Sequence, residues 1–453
     1  MLLSFRLVLV GFGLVLLLAA CAGQLGGGGG NGGGGGSNGG GGGSGGGTSS
    51  QLTLESVRLT AYEVYQGQDL TLTLTLSSQD GFQGEVEVEV LENGQRVTWL
   101  RPSSSQQTIS VPSNGQETIT LNVAVSSNAL SGAHDLSVKV AYGNSATQKS
   151  VPLTVWTTHQ PTVNPDLLRV VYKGGRFLAL SAFAGGEPRQ DIWVSSDGEQ
   201  WTRGSVWNAG YLLWDAAYDG SGTYIAVGPA GRIYTSTNGV TWTNLQPPSG
   251  AFYPYSVIYA QGKWVFGSDH GVYYYDGNTW TRQPIYGLRH GYRVAYGNGR
   301  FVVAGVGFGD WGDGVVVFAS ENGTDWTLTH YRPDPYYSTA YVGDLFYDAE
   351  RGRFLVVGGT EGNNQTVFVL ESQDGTQWQV YGDGAGRDQR AVGIACGGDT
   401  CFFQVSYKGI LKASSPNIQE ASVVVGEPTD IFGLTYGNGK FVGVGKVIAS
   451  RSP

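Results

Sequence analysis

Cysteine is almost missing from this chain. Three occur in 453 residues: Cys21, Cys396 and Cys401. That excludes a cysteine-rich zinc module and a disulfide-dense scaffold. Histidine is scarce as well. The five residues His134, His159, His270, His290 and His330 are scattered, so no metal and no cofactor are expected. Charged residues make up only 14%, against about a quarter in ordinary domains. The formal net charge is −9 and no basic run exists. Nucleic-acid partners are excluded on that ground, because such binding neutralises phosphates. No long stretch sets apolar residues at helical spacing.

What is present is glycine, aromatic residues and alternation. Aromatics reach 12%. Short alternating runs are separated by Asn-Gly and Asp-Gly turns, the pattern of an all-β protein.

The first residues read MLLSFRLVLVGFGLVLLLAAC. The apolar run from Leu7 to Ala20 is short for a membrane span and reads as an export signal over residues 1–20. Its end, Leu18-Ala19-Ala20-Cys21, resembles the bacterial lipobox. The resemblance implies lipidation of Cys21, and so an exported protein anchored by lipid at a membrane surface. Ala22 is not the aspartate that signals inner-membrane retention in diderm lipoproteins. The expected location is thus the outer membrane or cell surface. Residues 21–50 hold the anchor and an almost pure glycine tether, with an rms reach of about 30 Å.

From residue 51 to 155 the runs DLTLTLTLSS, GEVEVEVLE, ETITLNVAVSS and HDLSVKVAYG alternate Leu/Val with Thr/Glu/Ser/Lys. Period two is the mark of half-buried strands in an antiparallel sheet. The segment resembles the Ig-like modules of bacterial surface proteins, which implies a β-sandwich acting as a spacer.

Residues 156–453 repeat. SSDGEQW (195–201), STNGVTW (236–242), SENGTDW (320–326) and SQDGTQW (372–378) share one motif, with YYDGNTW (274–280) as a variant. Spacing of roughly 40–50 residues matches a four-stranded propeller blade. The motif resembles the Asp-box of sialidases and related propellers, one residue shorter. There these turns lie on the rim, so Asp197, Asp276 and Asp374 are expected to be structural. A second motif, strand, glycine turn and strand, occurs seven times: VVYKGGRFLAL, AAYDGSGTYIAV, VIYAQGKWVFG, VAYGNGRFVVAG, LFYDAERGRFLVVG, IACGGDTCFFQV and LTYGNGKFVGVG. Seven blades are expected. The seventh lacks its outer strand, and Trp156–His159 is expected to supply it, since an open edge is a liability.

Binding residues are expected on the loops joining blades, which are rich in aromatics and arginine: Trp207, Tyr286, Arg289, His290, Tyr292, Tyr336 and Tyr337. Three residues before the tyrosine of each inner strand stand Arg169, Asp215, Ser256, Arg293, Asp344, Gly393 and Gly433. These should lie near the mouth of a central channel, lining a ligand site or pairing with each other. No Gly-x-Ser-x-Gly elbow or His-Glu-x-x-His is present. The Arg-Ile-Pro motif of sialidases is absent too. No catalytic residue is assigned. The expected function is a non-enzymatic binding or scaffold role toward a glycan or an envelope protein. Two alternatives are a sialidase-like glycoside hydrolase and an assembly factor for an envelope complex. The last rests on a likeness to lipoprotein propellers that help build photosystem II.

Cys396 and Cys401 occupy the Tyr and Phe positions of the sixth hairpin. They should face each other across its turn as a structural disulfide.

Overall fold

The computed structural model describes residues 51–453 apart from 160–166, 182, 185–186, 189–191, 207–212, 251, 308–313, 334–339, 361–365, 386–390, 406–408, 419–420, 426–430, 447 and 453. Cys21, the signal and the tether lie outside the described residues. Every described element is a strand.

Alternation along residues 51–155 builds two sheets. One has the strand order Leu52–Leu59, Asp69–Ser78, Gly115–Val125, Leu100–Pro102. The other centres on Phe82–Glu92, Gly132–Tyr142 and Ser145–His159. In Asp69–Ser78 the leucines are buried and the threonines half-buried. Leu72 and Leu74 of one sheet join Val88, Val138 and Leu153 of the other in a single core. The Tyr142 hydroxyl crosses between the sheets and bonds the backbone of Leu52, accepting from its N–H at 3.0 Å and donating to its carbonyl at 3.2 Å.

Seven blades follow, each with four antiparallel strands, and Ser205–Val206 adds a fifth along the outer edge of the second. Six are formed by successive stretches of chain, with inner strands Leu167–Lys173, Asp215–Tyr218, Ser256–Ala260, Leu288–Gly297, Tyr341–Asp348 and Ala391–Gly397, and the hairpin Phe183–Ala184/Glu187–Pro188 is inserted in the first. The seventh holds Ile431–Gly437, Lys440–Gly445 and Ile448–Arg451. Each inner strand touches the next in order, and Ile431–Gly437 returns to Leu167–Lys173, so the ring is closed. The fold is a β-propeller. Strands such as Gly314–Ser320 are buried at every position, because each sheet lies between two others.

The outer strand of the seventh blade comes from the sandwich. Ser145–His159 pairs with Gly132–Tyr142 over Ser145–Val155. Its last residues Thr157, Thr158 and His159 then pair with Ser450, Ala449 and Ile448. One continuous strand therefore belongs to both sheets, and the expected limit at 155/156 falls inside it.

The blades are sealed near their inner hairpins by tyrosine laid on glycine. A Cβ built on Gly437 would sit 2.1 Å from the Tyr172 ring, and one on Gly297 would sit 2.2 Å from the Tyr347 ring. Only glycine lets the neighbouring ring lie so close to the backbone. Tyr172 on Gly437 joins the first blade to the last.

The turn motifs are self-contained. In the first, Ser195 Oγ accepts from Gly198 N at 2.8 Å, and Asp197 accepts from Glu199 N and Gln200 N, each at 2.8 Å. Asn238 and Asn322 do the same work in their copies. The motif carboxylates are thus committed to backbone amides. Cys396 and Cys401 are a directly opposed pair, joined as a disulfide with Cα atoms 4.1 Å apart.

Candidate functional site

The ring brings Arg169, Asp215, Arg293 and Asp344 together from four inner strands. Arg169 Nη2 donates to Asp344 Oδ1 at 2.9 Å, and its Nε lies 3.4 Å from Asp215 Oδ1. Arg293 Nε is 3.6 Å from the same Asp344 oxygen and donates to Gly343 O at 3.1 Å. Both carboxylates are anchored by backbone: Asp215 accepts from Val257 N and Asp344 from Leu345 N. Burial disfavours the charge on Arg169, but Asp344 and Asp215 outweigh it and raise its pKa. Arg293 is instead lowered to about 10, by burial and by the positive charge of Arg169. Two positive and two negative groups thus neutralise each other.

The four side chains pair with one another, one of the two arrangements the sequence left open, and this quartet stands between two cavities of the channel. Below it lies a cavity of about 380 Å³, bordered by Tyr172, Tyr218, Tyr259, Tyr296, Tyr347 and Tyr436, with Cys396 completing the circle. Above it lies a funnel of about 600 Å³. Arg169 and Asp344 border both. Side chains of opposite charge meet there because alternation points the same register position of every inner strand into the channel.

The funnel has two kinds of wall. Leu168, Val342, Val392 and Phe432 make an apolar side. Trp214, Tyr255 and Tyr292 make an aromatic side. Trp214 stacks on Tyr255, centroids 5.4 Å apart and planes 13° apart. Tyr255 meets Tyr292 edge-on at 5.2 Å, and Tyr292 stacks on His290 at 5.6 Å. The Tyr255 hydroxyl donates to Asp269 Oδ1 at 2.9 Å. Burial and Asp269 raise its pKa, so this phenol is held protonated and acts as a donor.

Of the residues expected on the loops, Tyr292 lines the funnel, and His290 does not line it but stacks on Tyr292. Tyr286 and Arg289 are exposed on the same connection and do not line it. Tyr286 is held outward by a tight turn in which Leu288 N donates to Ile285 O and Gly287 takes a φ of 88°. Trp207, Tyr336 and Tyr337 lie outside the described residues. Trp214, Tyr255, Asp269, Gln404 and Phe432 were not singled out from sequence. The first two stand in the aromatic loops, but nothing in the repeat marks Asp269, Gln404 or Phe432.

No family model matches the chain, and no curated protein does. Among solved structures it is similar to YCF48 bound to D1 peptide, at 12% identity and TM-score 0.47, covering 66% of this chain and 95% of that one. YCF48 from Cyanidioschyzon merolae gives 13% and 0.45, covering 66% and 99%. Virginiamycin B lyase from Staphylococcus aureus gives 10% and 0.47, covering 64% and 96%. At these scores the propeller rests on its own strand ring.

Proposed function

We propose that this chain is an exported, lipid-anchored binding protein of the cell envelope. Cys21 carries the lipid, residues 21–50 are the tether, and residues 51–155 are an Ig-like sandwich. The propeller holds a glycan or protein partner in the funnel. The observation that carries this is the pairing of an aromatic wall with a floor whose charges cancel. Such a pocket offers contact area and few fixed polar groups, the composition of a ligand site. A pull-down from detergent-solubilised envelope tests it. The wild type should retain a partner that Trp214→Ala and the funnel-filling Val392→Trp lose. Equal capture by all three proteins would overturn the reading.

The hydrolase alternative finds less support. Arg169 is occupied by two carboxylates, and Tyr255 is held as a donor rather than freed as a nucleophile. Turnover of a fluorogenic glycoside panel, abolished by Arg293→Ala, would reverse that judgement. Lipidation is tested by fatty-acid labelling of the exported protein, lost in Cys21→Ala.

A further inference from the structure

Asp269 Oδ1 lies 2.6 Å from His290 Nδ1 and 2.9 Å from the Tyr255 hydroxyl. A carboxylate only accepts, so both neighbours donate to it. The neutral imidazole is thereby held as the Nδ1–H tautomer, and its lone pair is left on Nε2. Among the described residues Nε2 has no partner, and the side chain is 29% accessible. The ring cannot easily turn away. It stacks on Tyr292 with planes 18° apart. The backbone beneath is stitched as well: Asp269 and His290 form a bridge, His270 N donates to Arg289 O, and Ile285 N donates to His270 O.

A fixed hydrogen-bond acceptor therefore stands at one end of a row of rings. At the other end, Trp214 stacks one face on Tyr255, and among the described residues no ring covers its second face. A fitting ligand must bring a hydroxyl or similar donor to Nε2 and an apolar face to the aromatics. It gains little from charge, because the floor is self-neutralised and Asp269 is already engaged. An anionic group would be repelled by the carboxylate of Asp269. A short chain of sugar rings has the required form and span, with hydroxyls at its edges and C–H groups on its faces.

We propose that this row of rings binds a neutral oligosaccharide, one unit laying its C–H face on the open side of Trp214 and another giving a hydroxyl to His290 Nε2. The proposal deepens the funnel reading and rests on it. Asp269 and Tyr255 are positioning residues.

The full-length protein in detergent is applied to an array of neutral, amino and acidic oligosaccharides, and the best neutral one is titrated by calorimetry. Neutral glycans should be retained. His290→Phe, which keeps a ring but loses the acceptor, should weaken binding about fivefold or more. His290→Gln, whose amide oxygen accepts, should recover most of it, and Trp214→Ala should lose it. Retention of acidic glycans alone, no retention, or a His290→Phe affinity equal to wild type would overturn the proposal. Funnel-dependent capture of an envelope protein, uncompeted by the neutral oligosaccharide, would leave the funnel reading standing and remove the saccharide. Capture that ignores the funnel, beside His290-dependent sugar binding, would do the reverse.

Discussion

Arg451 Nη1 lies 2.6 Å from Glu63 Oε1. The pair joins the sandwich to the last strand of the propeller. Glu63 is buried, and it also receives Lys412 Nζ at 2.8 Å and Trp156 Nε1 at 2.8 Å. Breaking such a buried cluster costs about 3–5 kcal/mol, because the remaining charges lose their partner. Glu63→Ala should therefore lower the denaturation midpoint sharply, read by tryptophan fluorescence. A change confined to the sandwich, with propeller unfolding unmoved, would argue against a shared junction.

Ring closure gives a second prediction. Removing residues 448–453 exposes the edges of Thr157–His159 and Lys440–Gly445 together. Calorimetry should show loss of the cooperative propeller transition. An intact transition at the wild-type temperature would mean that the strand from the sandwich is dispensable.

Much of this architecture was legible in the sequence. Six hairpins with a tyrosine and a following aromatic, and one with Cys396 and Cys401 in those places, announce the blades, and VWTTH resembles the outer strands closely enough to mark the closing one. The convergence of Arg169, Asp215, Arg293 and Asp344 was legible because a ring repeats one register position. Their pairing was not, since which sign meets which depends on reach across the channel. Asp269 was invisible because the matching connection of the second blade, in which Ala230 takes the left-handed conformation of His270, has Pro229 in its place. The tyrosine-on-glycine seal was hidden too, as it joins residues from adjacent blades.

That seal is testable. Gly437→Ala drives a methyl into the Tyr172 ring and should cost about 1–3 kcal/mol. Gly439→Ala, with open space and a φ of 71°, should cost only about 1 kcal/mol of backbone strain. Urea midpoints in which Gly439→Ala is the worse of the two would refute the packing argument.

Acid should act in two stages. Burial lowers the pKa of His159, which bonds Ser450 Oγ across the closing edge at 2.8 Å, and of His330. Their folded pKa lies below 6.5, so their contribution is present above that pH and declines as pH falls through the folded value. His159→Gln should flatten this first stage. Burial would raise Asp219, but the amides of Thr223 and Ser221 overcome it and hold it at about 2. Its contribution is present above about pH 4 and is lost toward pH 2. Thermal midpoints measured from pH 8 to 2 check both stages, and a single unbroken decline from pH 4 would remove the histidine stage.

The Cys396–Cys401 bridge closes a short loop, so its reduction should cost about 2 kcal/mol. Calorimetry with and without reductant measures it, and titration of two free thiols in the untreated exported protein would disprove the bridge.

The strand from Ser145 to His159 also sets an order of events. Its partner Ile448–Arg451 is made after every other strand of the ring. A chain emerging from its N-terminus can fold the sandwich first and hold Thr157–His159 extended. The ring then waits, with one half of its latch already formed, until Ile448–Arg451 arrives. Residues 51–155 are in this sense a jig for assembling the propeller.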